Sequence, residues 1–254
     1  MISIIGGVPV NVPVDRKNFH PDMDAIRSSI TNRTRMIMVN SPCNPTGAVY
    51  AREEIEEIVS IAIEHDLWIV SDEIYSRLIW NGGEHVSPAT IEGGKERTIV
   101  ISGWSKTWAM TGMRVGFLAG PEQAVRAAVK CQANSASHIP TFMMEAARVA
   151  LDCDDHVERF SDAYRQRRKL MVQGLEDIPG LRIVNPEGAF YLFIDVSGTG
   201  MSDVEFADGA LEAGVQLIPA SLITGGEGFI RVSYAASEED IKEGISRLRS
   251  WLLQ

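Results

Sequence analysis

Three short apolar runs, each halted by a cluster of polar or turn-forming residues, constrain this chain more than any other feature. Met36–Asn40 is followed by SPCNPTG at 41–47, Leu67–Ser71 ends in SDEIY at 71–75, and Thr98–Ile101 runs into SGWSK at 102–106. Short aliphatic and β-branched runs bounded by such breakers read as buried strands. Between the first two lies Arg52–His65, whose apolar residues at 55, 58, 59 and 62 share one face at helical spacing. Strand–helix–strand alternation predicts an α/β fold, a largely parallel sheet covered by helices. Ligands of such sheets bind beyond the carboxyl ends of the strands, which is where this chain keeps its polar clusters.

The rest of the chain completes the outline. The first 14 residues are β-rich and punctuated by Gly6-Gly7, Pro9 and Pro13, so a strand and a turn are expected there. Asp22–Ile30 reads as a helix and Arg114–Ala119 as a further strand. From Glu122 the pattern is helical. Asp155–Leu175, apolar at 157, 160, 164, 171 and 175, is expected to form a long connecting helix. After Pro179-Gly180 strands return at Leu181–Val184, Ala189–Val196, Val215–Ile218 and Phe229–Tyr234, with helices near 202–213 and at Glu238–Leu252. Ser237 and Asp240 form a capping-box-like pair at the last start, and apolar residues at 241, 245, 248 and 252 give that helix one buried face. The expected division is 1–169, a larger sheet-based domain ending in the connecting helix, and 170–254, a smaller α+β domain.

Charge and composition exclude several classes. With 24 Lys+Arg against 34 Asp+Glu the net charge is -10, which disfavours nucleic acid or an anionic membrane as partner. The basic run at 165–169 reads as a solvated helix face. Cys43, Cys131 and Cys153 lie far apart, with no CxxC or His/Cys cluster, so neither a disulfide framework nor a metal site is expected. Cys43 reads as a passive buried thiol, and the five histidines, without partners in sequence, read as bystanders. The start lacks the features of a signal peptide and no apolar run approaches membrane-spanning length, so a cytoplasmic location is expected. No GxGxxG after a strand, Walker A loop, HExxH or GxSxG is present.

The chemistry-bearing residues sit at the strand ends. Lys106 lies just past the third strand, flanked by Ser102 and Ser105, with Arg114 eight residues later. A lysine at such a junction can project into the crevice, its amine can condense with an aldehyde, and an arginine fork suits a phosphate dianion. Arg114 is surrounded in sequence by apolar and small residues, which argues against a plain surface arginine. Asp72, straight after an apolar strand, is either a site carboxylate or a helix cap. Asn44 of NPTG, taken alone, is as readily part of a plain turn. Arg231 lies inside the apolar GEGFIRVSYA, where a buried arginine needs an anionic partner such as a bidentate carboxylate.

In their order along the chain, NPTG (44–47), SDEIY (71–75), SK (105–106), AMTG (109–112), R-x-G (114–116) and GEGFIRVSYA (226–235) resemble the fold-type I pyridoxal-phosphate (PLP) enzymes. Within that class they are similar to the class I/II aminotransferases, aspartate aminotransferase-like, and GAFYLF (188–193) is a further family-like strand without assigned chemistry. The resemblance implies pyridoxal 5'-phosphate as cofactor, held as an aldimine on Lys106. It implies Asp72 at the pyridine nitrogen, and Tyr75 and Asn44 as donors to the phenolic oxygen. Arg114 with Ser105 and Ser102 would hold the phosphate, and Arg231 with Asn44 the substrate carboxylate. The implied activity is amino-group transfer between an amino acid and a 2-oxo acid by a cytoplasmic homodimer. A carbon–sulfur lyase of the same fold type, or a chain that folds without completing its site, are the other readings. The N-terminal third of the family pattern has no counterpart here. The cofactor face is therefore expected to be partly open, with an exposed edge and apolar sheet face that invite aggregation or a compensating assembly.

Overall fold

The computed structural model describes residues 2–80 and 82–253. Helix α1 (Met23–Ser29) starts at Asp22, whose side chain accepts from the Ala25 amide, an ordinary N-cap. Strand β1 (Met36–Asn40), helix α2 (Arg52–Glu64) and strands β2 (Trp68–Asp72), β3 (Thr98–Gly103) and β4 (Gly116–Ala119) follow. The sheet order is β1-β2-β3-β4, the first two pairings parallel and the last antiparallel. The apolar stripe of α2 (Ile55, Ile58, Val59 and Ala62) packs with Val39, Leu67 and Ile69 into one core.

Register determines what the strand ends can do together. Asn40 pairs with Asp72, and Asp72 with Ile101. The loops carrying Asn44, Tyr75 and Lys106 therefore leave the sheet from one common edge. Gly103 sits where β3 meets β4; a Cβ there would lie 2.7 Å from the Val115 carbonyl oxygen, so only glycine allows the approach. The fourth strand begins at Gly116 and not at 114 as the sequence suggested. Arg114 is left-handed, with φ 54°, and closes the short turn Thr111–Met113 before the strand starts. Met36, Met38, Ile101, Phe117 and Leu118 are exposed, so the sheet carries large uncovered apolar side chains.

Helices α3 (Glu122–Ser135), α4 (Thr141–Ala150) and the long α5 (Asp154–Leu175) lead to a second sheet. It contains β5 (Arg182–Ile183), β6 (Tyr191–Asp195), β7 (Ile218–Pro219) and β8 (Phe229–Ser233), in the order β5-β6-β8-β7, all antiparallel. Helix α6 (Asp203–Glu212) precedes β7, and α7 (Glu238–Leu252) closes the chain from Ser237, which accepts from the Asp240 amide. Met171, Val172 and Leu175 of α5, Phe206 of α6 and Ile241, Ile245 and Leu248 of α7 bury Leu192, Ile194, Ile230 and Val232.

The other side of this sheet is covered from an unexpected quarter. Phe19 packs edge-on against Phe193 and Phe229, each with ring centroids at 5.5 Å. The opening residues do not form the expected strand. Ile2–Ile5 is a short 3-10 turn, and the only pairing nearby among the described residues is an isolated bridge between Val14 and Pro21. A strand needs a neighbour to receive its hydrogen bonds, and β-propensity alone does not supply one. Among the described residues no helix is long and apolar enough to cross a membrane.

The two sheets are joined at the site. The Gly47 carbonyl accepts from the Glu187 and Gly188 amides, both at 2.8 Å, and Ala189 donates to the Leu78 carbonyl. The Tyr234 hydroxyl donates to the Ala189 carbonyl and accepts from Trp80 Nε1 at 3.1 Å. The loops after β1 and β2 are thus tied to the entry of β6.

Candidate active site

Asn40, the last residue of β1, organises the edge. Its Oδ1 accepts from the Asn44 amide at 2.8 Å and its Nδ2 donates to the Asp72 carbonyl at 3.2 Å. Asn44 is thereby turned toward the second sheet, where its Oδ1 accepts from an Arg231 guanidinium nitrogen at 3.0 Å. This leaves the Asn44 Nδ2 donor free for a ligand among the described residues.

Asp72 ends β2 and is half-buried. Burial pushes its carboxyl above the usual range, the Ile74 amide opposes this at 3.2 Å, and the neighbouring Glu73 charge adds to the rise. Tyr75, one turn on, is buried, and its hydroxyl lies 3.0 Å from that of Tyr191. Burial first, then the Tyr191 contact, hold the Tyr75 phenol well above its ordinary range, so it stays a protonated donor. Lys106 Nζ sits 5.5 Å from the Phe190 ring centroid and 6.0 Å from that of Tyr75. Burial, then the nearby charges of Arg114 and Arg231, lower the Lys106 amine from its usual value. That raises its neutral, nucleophilic fraction.

The remaining expected residues sit around this centre with differences. Arg114 is exposed, contrary to the apolar surround read from its neighbours, because the turn before β4 lifts it off the sheet; it donates to the Thr111 carbonyl at 2.9 Å. Ser105 is half-buried. Ser102 donates to the Glu73 carbonyl at 3.2 Å, so its proton braces β3 against β2. Cys43 is half-buried next to Asn44 in the loop after β1, and burial pushes its thiol up, which suits a passive role. No group of three or more metal-ligating side chains occurs among the described residues.

The charges at this edge, and Arg231 facing it from the second sheet, lack their counterparts. Among the described residues, neither Lys106, Arg114 nor Arg231 has a carboxylate within 4.0 Å, although the chain carries ten more acidic than basic residues. Asp72, conversely, has no cationic side chain within that distance among the described residues. A half-buried carboxylate without a cation, beside three cations without an anion, suits a ligand with a protonated ring nitrogen, a phosphate and a second anionic group. The donor set therefore fits pyridoxal phosphate together with a carboxylate substrate.

Two features of the site carry no signal in the local sequence. Tyr191, in the strand left without chemistry, contacts Tyr75 and also carries the Arg231 guanidinium over its ring at 4.7 Å. The pairing of β6 with β8 places them together, and nothing local to GAFYLF signals it. The second feature is Glu73, buried behind Asp72. It accepts from Ser71 at 2.9 Å and Ser87 at 2.5 Å, and His85 Nε2 lies 3.0 Å from Oε2 as an ion contact. His85 is therefore no bystander, and neither is His20, whose ring contacts both Glu54 and Glu187.

The Glu73 cluster yields a stability prediction. Burial alone raises the Glu73 carboxyl, but the contacts from His85, Ser87 and Ser71 outweigh it and hold the group below the usual range. A carboxyl depressed in the folded state contributes stability above its unfolded pKa and loses it as pH falls through the folded value. Glu73→Ala is expected to cost about 3–5 kcal/mol at neutral pH, since it strands His85 and two hydroxyls. Denaturant titrations of variant and parent should show the gap narrowing in acid; a gap that is flat with pH would refute the ionised cluster.

Comparison with known proteins agrees with this geometry. The chain matches the family Aminotransferase class I and II over residues 1–248. It is 40% identical to an aspartate aminotransferase of Pyrococcus abyssi, over 99% of this chain and 66% of that protein. It is likewise 40% identical to aromatic-amino-acid aminotransferase 2 of Thermococcus litoralis, with the same coverage. The structure of the Thermus thermophilus aspartate aminotransferase with maleate superposes with a TM-score of 0.92 at 38% identity, over 98% of this chain and 65% of that one. The chain spans just under two thirds of the length of these curated relatives. With ordered motifs, matching fold and a family match over nearly its whole length, the chain belongs to the class I and II aminotransferases, a family that depends on pyridoxal phosphate.

Proposed function

We propose that this chain serves amino-group transfer between an amino acid and a 2-oxo acid. The observation that carries the reading is the mismatch of charges among the described residues: Lys106 and Arg114 at the edge of the first sheet and Arg231 on β8 of the second, all without carboxylates, and Asp72 without a cation. Pyridoxal phosphate, when bound, supplies an aldehyde that condenses with amines and a ring that accepts an electron pair. Lys106 Nζ would take the proton from the substrate α-carbon and hold it at the amine for its return. Asp72 keeps the proton on the ring nitrogen. The Tyr75 hydroxyl and Asn44 Nδ2 donate to the phenolic oxygen. Arg114 and Ser105 hold the phosphate, with Ser102 bracing the loop. Arg231 takes the substrate α-carboxylate, exchanging its bond to Asn44 for a bidentate pair. A second copy of the chain is the proposed protein partner, supported by the apolar side chains left exposed on the first sheet and on α4 (Phe142, Met144 and Val149), and the proposed location is the cytoplasm.

Paired arginine variants test the assignment. Lysine keeps the charge and loses the fork. Arg231→Lys is expected to weaken a dicarboxylate analogue about ten- to a hundredfold, roughly 1.5–3 kcal/mol, with pyridoxal-phosphate affinity near normal. Arg114→Lys should weaken the cofactor first. Titration of both ligands into both variants decides it, and the reverse pattern would exchange the two roles. Product analysis with and without a 2-oxo acid separates amino-group transfer from a lyase reaction.

A further inference from the structure

Four side chains form a connected series across the two sheets. Tyr75 and Asn44 come from the loops of the first sheet, and Tyr191 and Arg231 from β6 and β8 of the second. Asn44 meets Arg231 at 3.0 Å and Tyr75 meets Tyr191 at 3.0 Å. The two cross-sheet pairs are linked within the second sheet. Phe193 pairs with Arg231 and Tyr191 with Ser233, so Tyr191 and Arg231 are diagonal neighbours on one face, and the guanidinium lies 4.7 Å from the ring centroid. The Tyr191 and Tyr75 rings meet nearly edge to face at 5.9 Å. Tyr191 therefore touches both the proposed donor to the cofactor and the proposed grip on the substrate.

We propose that Tyr191 is a positioning residue with two separable parts: its hydroxyl orients the Tyr75 hydroxyl, and its ring face holds the Arg231 guanidinium. The proposal rests on the functional reading above for what Tyr75 and Arg231 do, while the contacts themselves do not. In the tyrosine pair either oxygen can donate. When the Tyr75 hydroxyl donates its hydrogen bond to the phenolic oxygen, Tyr191 must be the donor to Tyr75. A Tyr75 that donates to Tyr191 is held above its ordinary range by that contact, whereas one that accepts from Tyr191 is made more acidic and a stronger partner for the phenolic oxygen. Arg231, half-buried and without a carboxylate among the described residues, gains from the ring face an attraction that needs no anion and does not compete with one. An aromatic ring here fixes the fork without occupying it, which a carboxylate in the same place would not do.

The test separates hydroxyl from ring in the 254-residue chain loaded with pyridoxal phosphate. Tyr191→Phe keeps the ring and is expected to shift the midpoint of the cofactor's visible-absorbance pH titration upward by about half to one unit. Maleate affinity should stay within about twofold of the parent. In a Tyr75→Phe background, Tyr191→Phe should give no further shift, because it acts through that hydroxyl. Tyr191→Leu should repeat the pH shift and also weaken maleate about two- to tenfold. No shift in Tyr191→Phe, or a shift that persists in the Tyr75→Phe background, overturns the hydroxyl role. Unchanged maleate affinity in Tyr191→Leu overturns the ring role. If the chain takes up no pyridoxal phosphate, the functional reading fails, and nuclear magnetic resonance of the ligand-free chain still decides the positioning. Tyr191→Phe must then move the Tyr75 Cζ resonance and leave the ring-shifted Arg231 Nε–H signal in place, and its failure to do so overturns the proposal. The phenylalanine variant removes a single oxygen, so the test of the hydroxyl does not depend on the leucine variant folding.

Discussion

Borohydride reduction of the chain loaded with pyridoxal phosphate, followed by peptide mapping, is expected to place the pyridoxyl group on Lys106. Lys106→Ala should remove that adduct and lower amino-group transfer by roughly 10²- to 10⁴-fold or more, the usual weight of a positioned proton-transfer group. The reason is local. Burial first, and then the charges of Arg114 and Arg231, disfavour the ammonium form, so Lys106 offers more free amine at neutral pH than a solvated lysine does. Lys95 and Lys130 are exposed, and nothing at either site assembles a phosphate clamp among the described residues. An adduct on either of them, with Lys106 unlabelled, would sink the assignment.

Asp72→Asn should remove most of the turnover, roughly 10²- to 10³-fold, while pyridoxal phosphate still binds. Asparagine keeps the shape and the acceptor for the Ile74 amide but cannot balance a protonated ring nitrogen. The same change should stabilise the ligand-free chain. Asp72 is raised, chiefly by burial, so its ionised form is disfavoured in the fold. A carboxyl raised in the folded state penalises folding above its unfolded pKa, and the penalty fades as pH falls. The thermal midpoint of the ligand-free variant should therefore exceed that of the parent at neutral pH and converge with it in acid. Loss of stability together with loss of turnover would mark Asp72 as a structural cap instead. Unchanged turnover in a variant that binds the cofactor would remove it from the chemistry.

Both outcomes rest on residues that are legible in the amino-acid sequence alone, and the reason is physical. Met36–Asn40, α2 and α7 follow their sequence patterns almost residue for residue, because β-branched runs and an apolar stripe at helical spacing are local instructions. Lys106, Asp72, Asn44 and Arg231 stand out because each is a polar or charged residue set against an apolar strand end or strand. The opening residues mislead because they have β-propensity and lack a pairing partner. The apolar neighbours of Arg114 in sequence predict a surround that its left-handed turn takes away.

Chain order and residue type by themselves determined the alternation of strands and helices, the strand-end placement of the lysine, the carboxylate and the amide, and the family to which their order belongs. What only the tertiary structure decided are the meetings between distant positions. Asn40, Asp72 and Ile101 share a row because parallel register brings them level. Arg231 reaches Asn44 across 187 positions of sequence, and Tyr191 reaches Tyr75 across 116. Glu73 finds Ser87 and His85 beyond a loop. Local sequence sets backbone conformation and side-chain chemistry, whereas such contacts exist only after two sheets have packed and their burial has made an unpaired polar group costly.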